Sequence, residues 1–257
     1  VRVPAFGGLK GRLVTPPRVL LLEDDPAVRR FVQMVLEPLG LDLVQCATLA
    51  QARQAIEAAA VQLVLTDLTL PDGSGLDWLQ WLHARVPAPG LACRTVVFSG
   101  GIDPAMERQL QALQVWRILH KPASVGALME CVEQALDSLA ESAATPPAGA
   151  TTASDPVTEF FAGNHALYRT YRAACLAQFA QDVRAGDSAV QAGDVQALQR
   201  VAHNLKSVLT MLGEASAAQS ARSTEECAAQ GALESMQQGW RQLREQVQHL
   251  VLSHDSA

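Results

Sequence analysis

Aromatic residues are scarce, with four Trp, two Tyr and six Phe among 257 residues, so Leu, Val and Ala must supply most of any core volume. Cysteine is sparse and scattered. Cys46, Cys93, Cys131, Cys175 and Cys227 are odd in number and contain no C-x-x-C pair, which fits buried, reduced thiols in the cytosol. No apolar run approaches the ~18 residues that span a bilayer, so membrane insertion of this chain is not expected. The sustained apolar core of a signal peptide is missing from the N-terminus. Val rather than Met stands at position 1, as it would in a piece cut from a larger, membrane-bound parent. The net charge is −6 and no basic face or Arg-rich run is present, so nucleic acid is not an expected partner. GGLKG at 7–11 lacks the preceding strand and the Lys placement of a phosphate loop. No nucleotide-binding Gly boxes occur elsewhere, so the chain is not expected to use ATP by itself.

What is present falls into two unlike halves. Residues 1–17 are small, Gly- and Pro-rich, and read as a flexible tail. From 18 to 140 short apolar runs alternate with helical patterns. The runs are Val19–Leu22, Leu41–Cys46, Leu63–Thr66, Thr95–Phe98 and Val115–His120. The helices are expected to open at Pro26 and to cover Leu49–Ala60, Gly73–Val86, the stretch from Gly101 to Leu113, and Ser124–Leu139. Five apolar strands separated by helices predict a doubly wound α/β layer with a parallel sheet. Residues 141–157 hold almost no large apolar side chain and read as an interdomain linker. From 158 to 257 the strand signal disappears. Helical periodicity over Ala166–Arg184, Val195–Leu212, Ala215–Ala229 and Leu233–Leu252, punctuated by Gly163, Gly186, Gly193, Gly213 and Gly231, predicts an all-α bundle of four main helices behind a short leading one.

Ligands of an open parallel sheet sit at the carboxyl ends of its strands. Here those ends carry Asp24 and Asp25, Asp67, Ser99 and Lys121. Any one of them alone has an ordinary explanation, since an Asp at a strand end is commonly a helix cap or turn former. Their joint placement is what points to a site. Clustered carboxylates repel one another unless a cation sits among them. Oxygen-only ligands suit Mg²⁺, which also binds phosphate. In such a pocket a carboxylate can attack a phosphoryl group, with Mg²⁺ and Lys121 neutralising its oxygens and Ser99 donating a hydrogen bond.

Residues 18–140 resemble a response-regulator receiver domain. The acidic pair Asp24-Asp25 follows the first strand. Asp67, Pro71 and Gly75 match the D-x-x-x-P-x-x-x-G segment, Ser99-Gly100 the Ser/Thr–small pair, and Lys121-Pro122 the Lys-Pro, whose peptide bond is usually cis in that family. The resemblance implies that Asp67 accepts phosphate, that Asp24, Asp25 and Asp67 hold Mg²⁺, that Lys121 contacts the phosphoryl group and that Ser99 senses it. One position departs from the pattern. Ile118 stands where the family usually has Tyr or Phe, which puts the usual inward-swinging aromatic read-out, and dimerisation driven by it, in question. Without a basic face, the DNA-binding output common to such regulators is not expected in these residues.

In the second half, Leu198, Ala202, Leu205, Leu209 and Leu212 recur at helical spacing and should face a core. Gln196, Gln199, Arg200, His203, Lys206, Ser207 and Thr210 form the opposite stripe, so His203 is predicted to face solvent partway along a helix. Lys206 and Ser207 lie three and four residues on, on the same face. A cation there would support a phosphoryl group on the imidazole, and the small Ser207 leaves room for a partner. No acid or second His stands at metal-ligand spacing. The segment Ala202-His203-Asn204-Leu205-Lys206-Ser207, followed by Leu212-Gly213, resembles the A-H-x-L-K-[GS] core of histidine phosphotransfer (HPt) domains. That resemblance implies His203 as phosphate carrier and Lys206 as its electrostatic support.

Together the two resemblances imply phosphorelay in a two-component system. The expected partners are a sensor histidine kinase, whose phosphohistidine supplies Asp67, and a downstream response regulator. Phosphate would flow from Asp67 through His203 or in reverse. The expected location is cytoplasmic, as a protein of its own or as the cytosolic part of a membrane-bound hybrid kinase. Two rival readings are a silent adaptor, which would take up no phosphate, and a Mg²⁺-dependent phosphatase, which would need a second acid at Thr69.

Overall fold

The computed structural model describes residues 16–85, 93–137 and 155–255. The expected tail before Pro16, the GGLKG run, the end of the expected last receiver helix from 138, and residues 141–154 of the expected linker lie outside them. Asp155 and Pro156, placed in the linker by composition, already cap and open a helix.

The first half is a five-stranded parallel sheet of β1 (Arg18–Leu22), β2 (Asp42–Cys46), β3 (Leu63–Thr66), β6 (Arg94–Ser99) and β7 (Arg117–His120), in the order β2-β1-β3-β6-β7. That is the doubly wound layer expected, in the flavodoxin-like order. β1 and β3 are central and almost wholly buried, which explains their uninterrupted apolar runs. Helices α1 (Pro26–Leu36), α2 (Leu49–Ala58), α3 (Gly75–Arg85), α4 (Pro104–Ala112) and α5 (Val125–Asp137) make the crossovers.

The expected helix from Gly73 starts two residues late. Thr69–Leu70 (β4) and Gly73–Ser74 (β5) form a small antiparallel hairpin around Pro71-Asp72, and Asp72 accepts hydrogen bonds from the Leu49 and Ala50 amides at the start of α2. Gly75 lies so close to the Leu68 backbone that a Cβ would sit 2.5 Å from Leu68 Cα. The fifth main strand begins at Arg117 rather than Val115. Gln114, at φ 52°, turns the chain just before it.

The second half contains α6 (Pro156–Phe161), α7 (His165–Ala192), α8 (Val195–Leu212), α9 (Ala215–Ala229) and α10 (Leu233–Asp255). The termini of α8 follow its sequence signals, with the Asp194 side chain accepting from the Ala197 amide and Gly213, at φ 80°, ending the helix. Gly186, expected to punctuate, instead sits inside the 28-residue α7. A Cβ there would lie 2.1 Å from two Trp240 ring atoms, and the indole donates to Asp187 across 2.9 Å. Glycine is therefore required for close helix packing, not for a break. Gly186→Ala is expected to destabilise the bundle by about 1–3 kcal/mol through overpacking, read as a lower denaturant midpoint.

The two halves are packed together. One apolar cluster runs from the α1/α5 face of the sheet into the bundle. At the seam Phe31 on α1 meets Phe161 at 5.8 Å and Tyr171 at 5.5 Å between ring centroids, and all three are at most 1% exposed. Asp182 on α7 is also half-hidden. Burial and the nearby Asp25 push its carboxyl up to about 6, against one hydrogen bond from Gln178. A raised carboxyl binds its proton more tightly folded than unfolded, so it costs nothing in acid and weakens the fold as pH rises from about 4 to about 6, the full penalty standing above that. Asp182→Asn is expected to raise the melting temperature at pH 8 and to leave it nearly unchanged at pH 4.

Candidate functional site

The strand register sets the site. Leu22 pairs with Thr66, so the residues just beyond them, Glu23 and Asp67, emerge side by side. The Asp67 amide donates to Leu22 O at 2.9 Å. Arg29 braces this edge by donating to the carbonyls of Glu23 and Asp24.

Lys121 Nζ lies 2.7 Å from Asp67 Oδ2 and also contacts Glu23 Oε2. Burial alone would depress its ammonium, but the two carboxylates hold it charged and well above its ordinary value. Burial pushes Asp67 the other way, yet Lys121, the Ser99 hydroxyl and His203 outweigh it and hold the carboxyl below its usual range. Asp67 is thus an anionic side chain, 1% exposed, at the bottom of a pocket. Ser99 is buried beside it, and the Lys121-Pro122 peptide is cis, as the resemblance implied.

Glu23, Asp24 and Asp67 each bring an oxygen within 4.8 Å of the others. Here the structure changes the expected set. Asp25 is the N-cap of α1, its Oδ1 accepting from the Ala27 amide at 2.7 Å and the Val28 amide at 3.2 Å. Glu23 stands in the trio in its place. Burial, only partly offset by Lys121, drives Glu23 up to about 8. Asp24 is raised too, by burial and by the neighbouring Asp67. Its Oδ1 is buried without a hydrogen-bond partner. Crowded carboxylates with an orphaned oxygen fit a hard divalent cation such as Mg²⁺, whose charge would relieve their repulsion.

His203 lies against this pocket rather than in solvent. It is 6% exposed, set between Gly100 of the receiver half and Glu225 of α9. A methyl group built on Gly100 would sit 3.5 Å from His203 Cε1 and 3.8 Å from Nε2. Next to it, the Asn204 side chain lies close enough to Asp24 to lower its carboxyl slightly against the effect of burial. His203 Nδ1 is 2.7 Å from Glu225 Oε1 on α9. Burial raises Glu225, but hydrogen bonds from His203 and Lys206 hold it below its ordinary value. A carboxylate can only accept, so Nδ1 carries the proton. Nε2 is the ring nitrogen left buried without a partner. Lys206 reaches the other Glu225 oxygen at 2.5 Å, so it tethers the residue that orients His203. Two clefts flank the contact. One, about 380 Å³, is lined by Lys121, Gly100, Lys206 and Arg222. The other, about 440 Å³, lies between the β4–β5 hairpin and Gln199, Arg200 and His203.

Asp24, Asp67, Ser99, Lys121, His203 and Lys206 are therefore brought to one locality. Glu23, Asn204 and Glu225 join them without having been expected. Asp25-Pro26 is itself a helix-start signal, and that signal could have assigned Asp25 to the cap and passed the carboxylate role to Glu23. Nothing local marks Glu225, which depends on the pairing of α8 with α9.

Comparison with known proteins agrees with this division. Residues 19–133 match the response regulator receiver domain family and residues 170–252 the Hpt domain family. The chain thus carries a receiver domain followed by an Hpt domain, a pairing that supports a two-component phosphorelay protein. Over 121 residues it is 34% identical to the response regulator protein PilR of Pseudomonas aeruginosa, covering 46% of this chain and 26% of PilR. Over 142 residues it is 28% identical to the KDP operon transcriptional regulatory protein KdpE of Escherichia coli, covering 55% of this chain and 57% of KdpE. The chain therefore spans between about a quarter and just over half of these relatives. A CheY-like receiver domain protein from Methanospirillum hungatei matches in structure at 23% identity and a TM-score of 0.46, over 49% of this chain and 98% of that one. No described helix is long and apolar enough to cross a membrane.

Proposed function

We propose that Asp67 accepts a phosphoryl group from the phosphohistidine of a sensor histidine kinase, and that His203 carries phosphate to or from a receiver, including that of a downstream response regulator. The observation that carries this reading is the convergence of Asp67, Lys121, Ser99 and the Glu23/Asp24 carboxylates at strand ends beside a His203 whose Nε2 has no hydrogen-bond partner.

Glu23, Asp24 and Asp67 would hold Mg²⁺, which when bound neutralises phosphoryl oxygens next to the nucleophile. Lys121 keeps Asp67 ionised and presents a second cation to the incoming group. The Ser99 hydroxyl donates to the same oxygens. Glu225 fixes the His203 tautomer, and Lys206 anchors Glu225 while lending positive charge to the cleft. The surrounding side chains exclude water, which protects an acyl phosphate from hydrolysis. Ile118 on β7 is partly buried and packs into the α2–α3 side of the sheet. It cannot provide the hydrogen bond or ring rotation of an aromatic, so read-out through that position is set aside in favour of direct phosphate transfer.

The test is incubation of the full chain with radiolabelled acetyl phosphate and Mg²⁺. Label should appear first as a base-labile acyl phosphate and then as an acid-labile, base-stable phosphohistidine. Removing the divalent cation with EDTA should lower the initial labelling rate by about 10² or more, with recovery on adding Mg²⁺ back. Unchanged labelling in EDTA would rule out the metal role. A chain that takes up no label from acetyl phosphate or from any phosphorylated histidine kinase would be an adaptor only.

A further inference from the structure

We propose that the receiver and Hpt domains of this chain are each other's resident partner, so that the docked seam pairs Asp67 with His203 for transfer within one molecule and shuts His203 off from every other receiver until the seam opens. This rests on the roles proposed above for Asp67 and His203 and adds the identity of the partner and the gating of the site.

Three independent features carry it. First, His203 lies on the polar stripe of an amphipathic helix, the face that a free bundle would expose, yet it is 6% exposed. On one side its ring is held by Glu225 of the bundle's own α9, and on the other it lies against Gly100, at the rim of the Asp67 pocket. Second, the contact is matched in chemistry. Asn204 lies beside Asp24 and lowers its carboxyl, and the unpartnered Nε2 of His203 lies at the pocket rim beside Gly100, where His203 also helps to hold the Asp67 carboxyl low. Third, the seam beside it is built like a protein core rather than a transient contact. Phe31 and Phe161 meet edge-on at an interplanar angle of 84°, and Tyr171 packs against both rings. Val157 and Phe160 of α6 are also buried, at 7% and 8% exposure. Surfaces that part and rejoin freely are wetter and more polar than this. Because both domains are on one chain, their association is also favoured by a high effective concentration.

In the closed state the transfer balances without any added reactant. The Nε2 lone pair attacks the phosphorus of Asp67 acyl phosphate. The N–P bond forms as the bond from phosphorus to the carboxyl oxygen breaks, and that electron pair returns to Asp67 as carboxylate. The Nδ1 proton stays in its hydrogen bond to Glu225, and the reverse step runs through the same atoms. A second receiver would need to occupy the face already held by the first. The seam therefore acts as a competitor that any outside partner must displace.

Two measurements on full-length protein test this. In wild type, passage of label from Asp67 to His203 should be first order and unchanged over about a hundred-fold range of protein concentration. In a mixture of H203Q chains labelled on Asp67 with D67N chains, transfer between molecules at micromolar concentration should be at least about 100-fold slower. Phe161→Ala in the D67N chain should speed that transfer about 10-fold or more, and in the wild-type background it should slow transfer within the molecule. Equal rates within and between chains, or no response to Phe161→Ala, would overturn the proposal. The second measurement needs no variant. Diethylpyrocarbonate should modify His203 at least about 10-fold more slowly than the exposed His83, His165 and His249, and equal reactivity would refute a closed seam even where Phe161→Ala fails to fold. Absence of label on Asp67 or His203 altogether is a distinct result, which removes the phosphorelay roles and this inference with them.

Discussion

Asp67→Asn is expected to reduce Mg²⁺-dependent labelling by acetyl phosphate at least about 1000-fold, since it removes the nucleophile and not merely a supporting group. The substitution is close to isosteric. It leaves the Asp67 amide free to keep its bond to Leu22 O, and Lys121 keeps its contact with Glu23. The fold should survive, which a near-unchanged melting curve would show. An amide cannot form the acyl phosphate, and it also withdraws one of three carboxylates from the cation site. Lys121→Ala and Ser99→Ala should cost less, on the order of 10² or below, because each removes one stabilising contact while the nucleophile remains. That ordering separates the phosphorelay reading from a generic cation site, in which all acidic substitutions would behave alike. Full labelling of the Asp67→Asn chain would dismiss Asp67 as acceptor.

The α/β layer and the bundle were legible because their signals are local and repeated. β1 and β3 are continuous apolar runs that only a sheet covered on both faces accommodates. α8 carries both its N-cap, Asp194, and its terminal Gly213 in the sequence. The receiver pocket was mostly legible for the same reason, since each residue stands at a strand end. The error over Asp25 came from counting acids without tracking where β1 stops. Leu22 is the last paired residue, so the first acid beyond it is Glu23, and the Asp directly before Pro26 is taken up by the helix start. Gly186 misled in the opposite direction, because a glycine needed for contact with Trp240 looks in sequence like a break. His203 was placed on the right face of the right helix, but its burial could not be seen. Amphipathicity tells which stripe avoids its own core and is silent on whether another domain covers it. Glu225 and Asn204 act across elements, and their partners are set by tertiary register alone.

His203→Gln is expected to eliminate the acid-labile, base-stable phosphate while leaving acyl phosphate formation on Asp67 within about two-fold of wild type. Gln has no ring nitrogen to attack phosphorus, so no phosphoramidate can form and the loss should be complete. With no acceptor across the seam, label should persist longer on Asp67 than in wild type, because the wild-type chain drains it to His203. The hydrogen-bond geometry makes a graded version of this result available. Glu225 holds the Nδ1 proton through a 2.7 Å contact, which keeps the Nε2 lone pair available. Glu225→Ala should therefore leave His203 chemically intact but slow its labelling roughly 10-fold, as part of the population shifts to the other tautomer. Glu225→Gln, whose amide oxygen can still accept from Nδ1, should recover part of the rate. The recovery should stay partial because the neutral amide no longer holds Lys206 by charge. Phosphohistidine that persists in the His203→Gln chain would mean that another histidine is the carrier, and the orientation built by Glu225 and Lys206 would then serve packing alone.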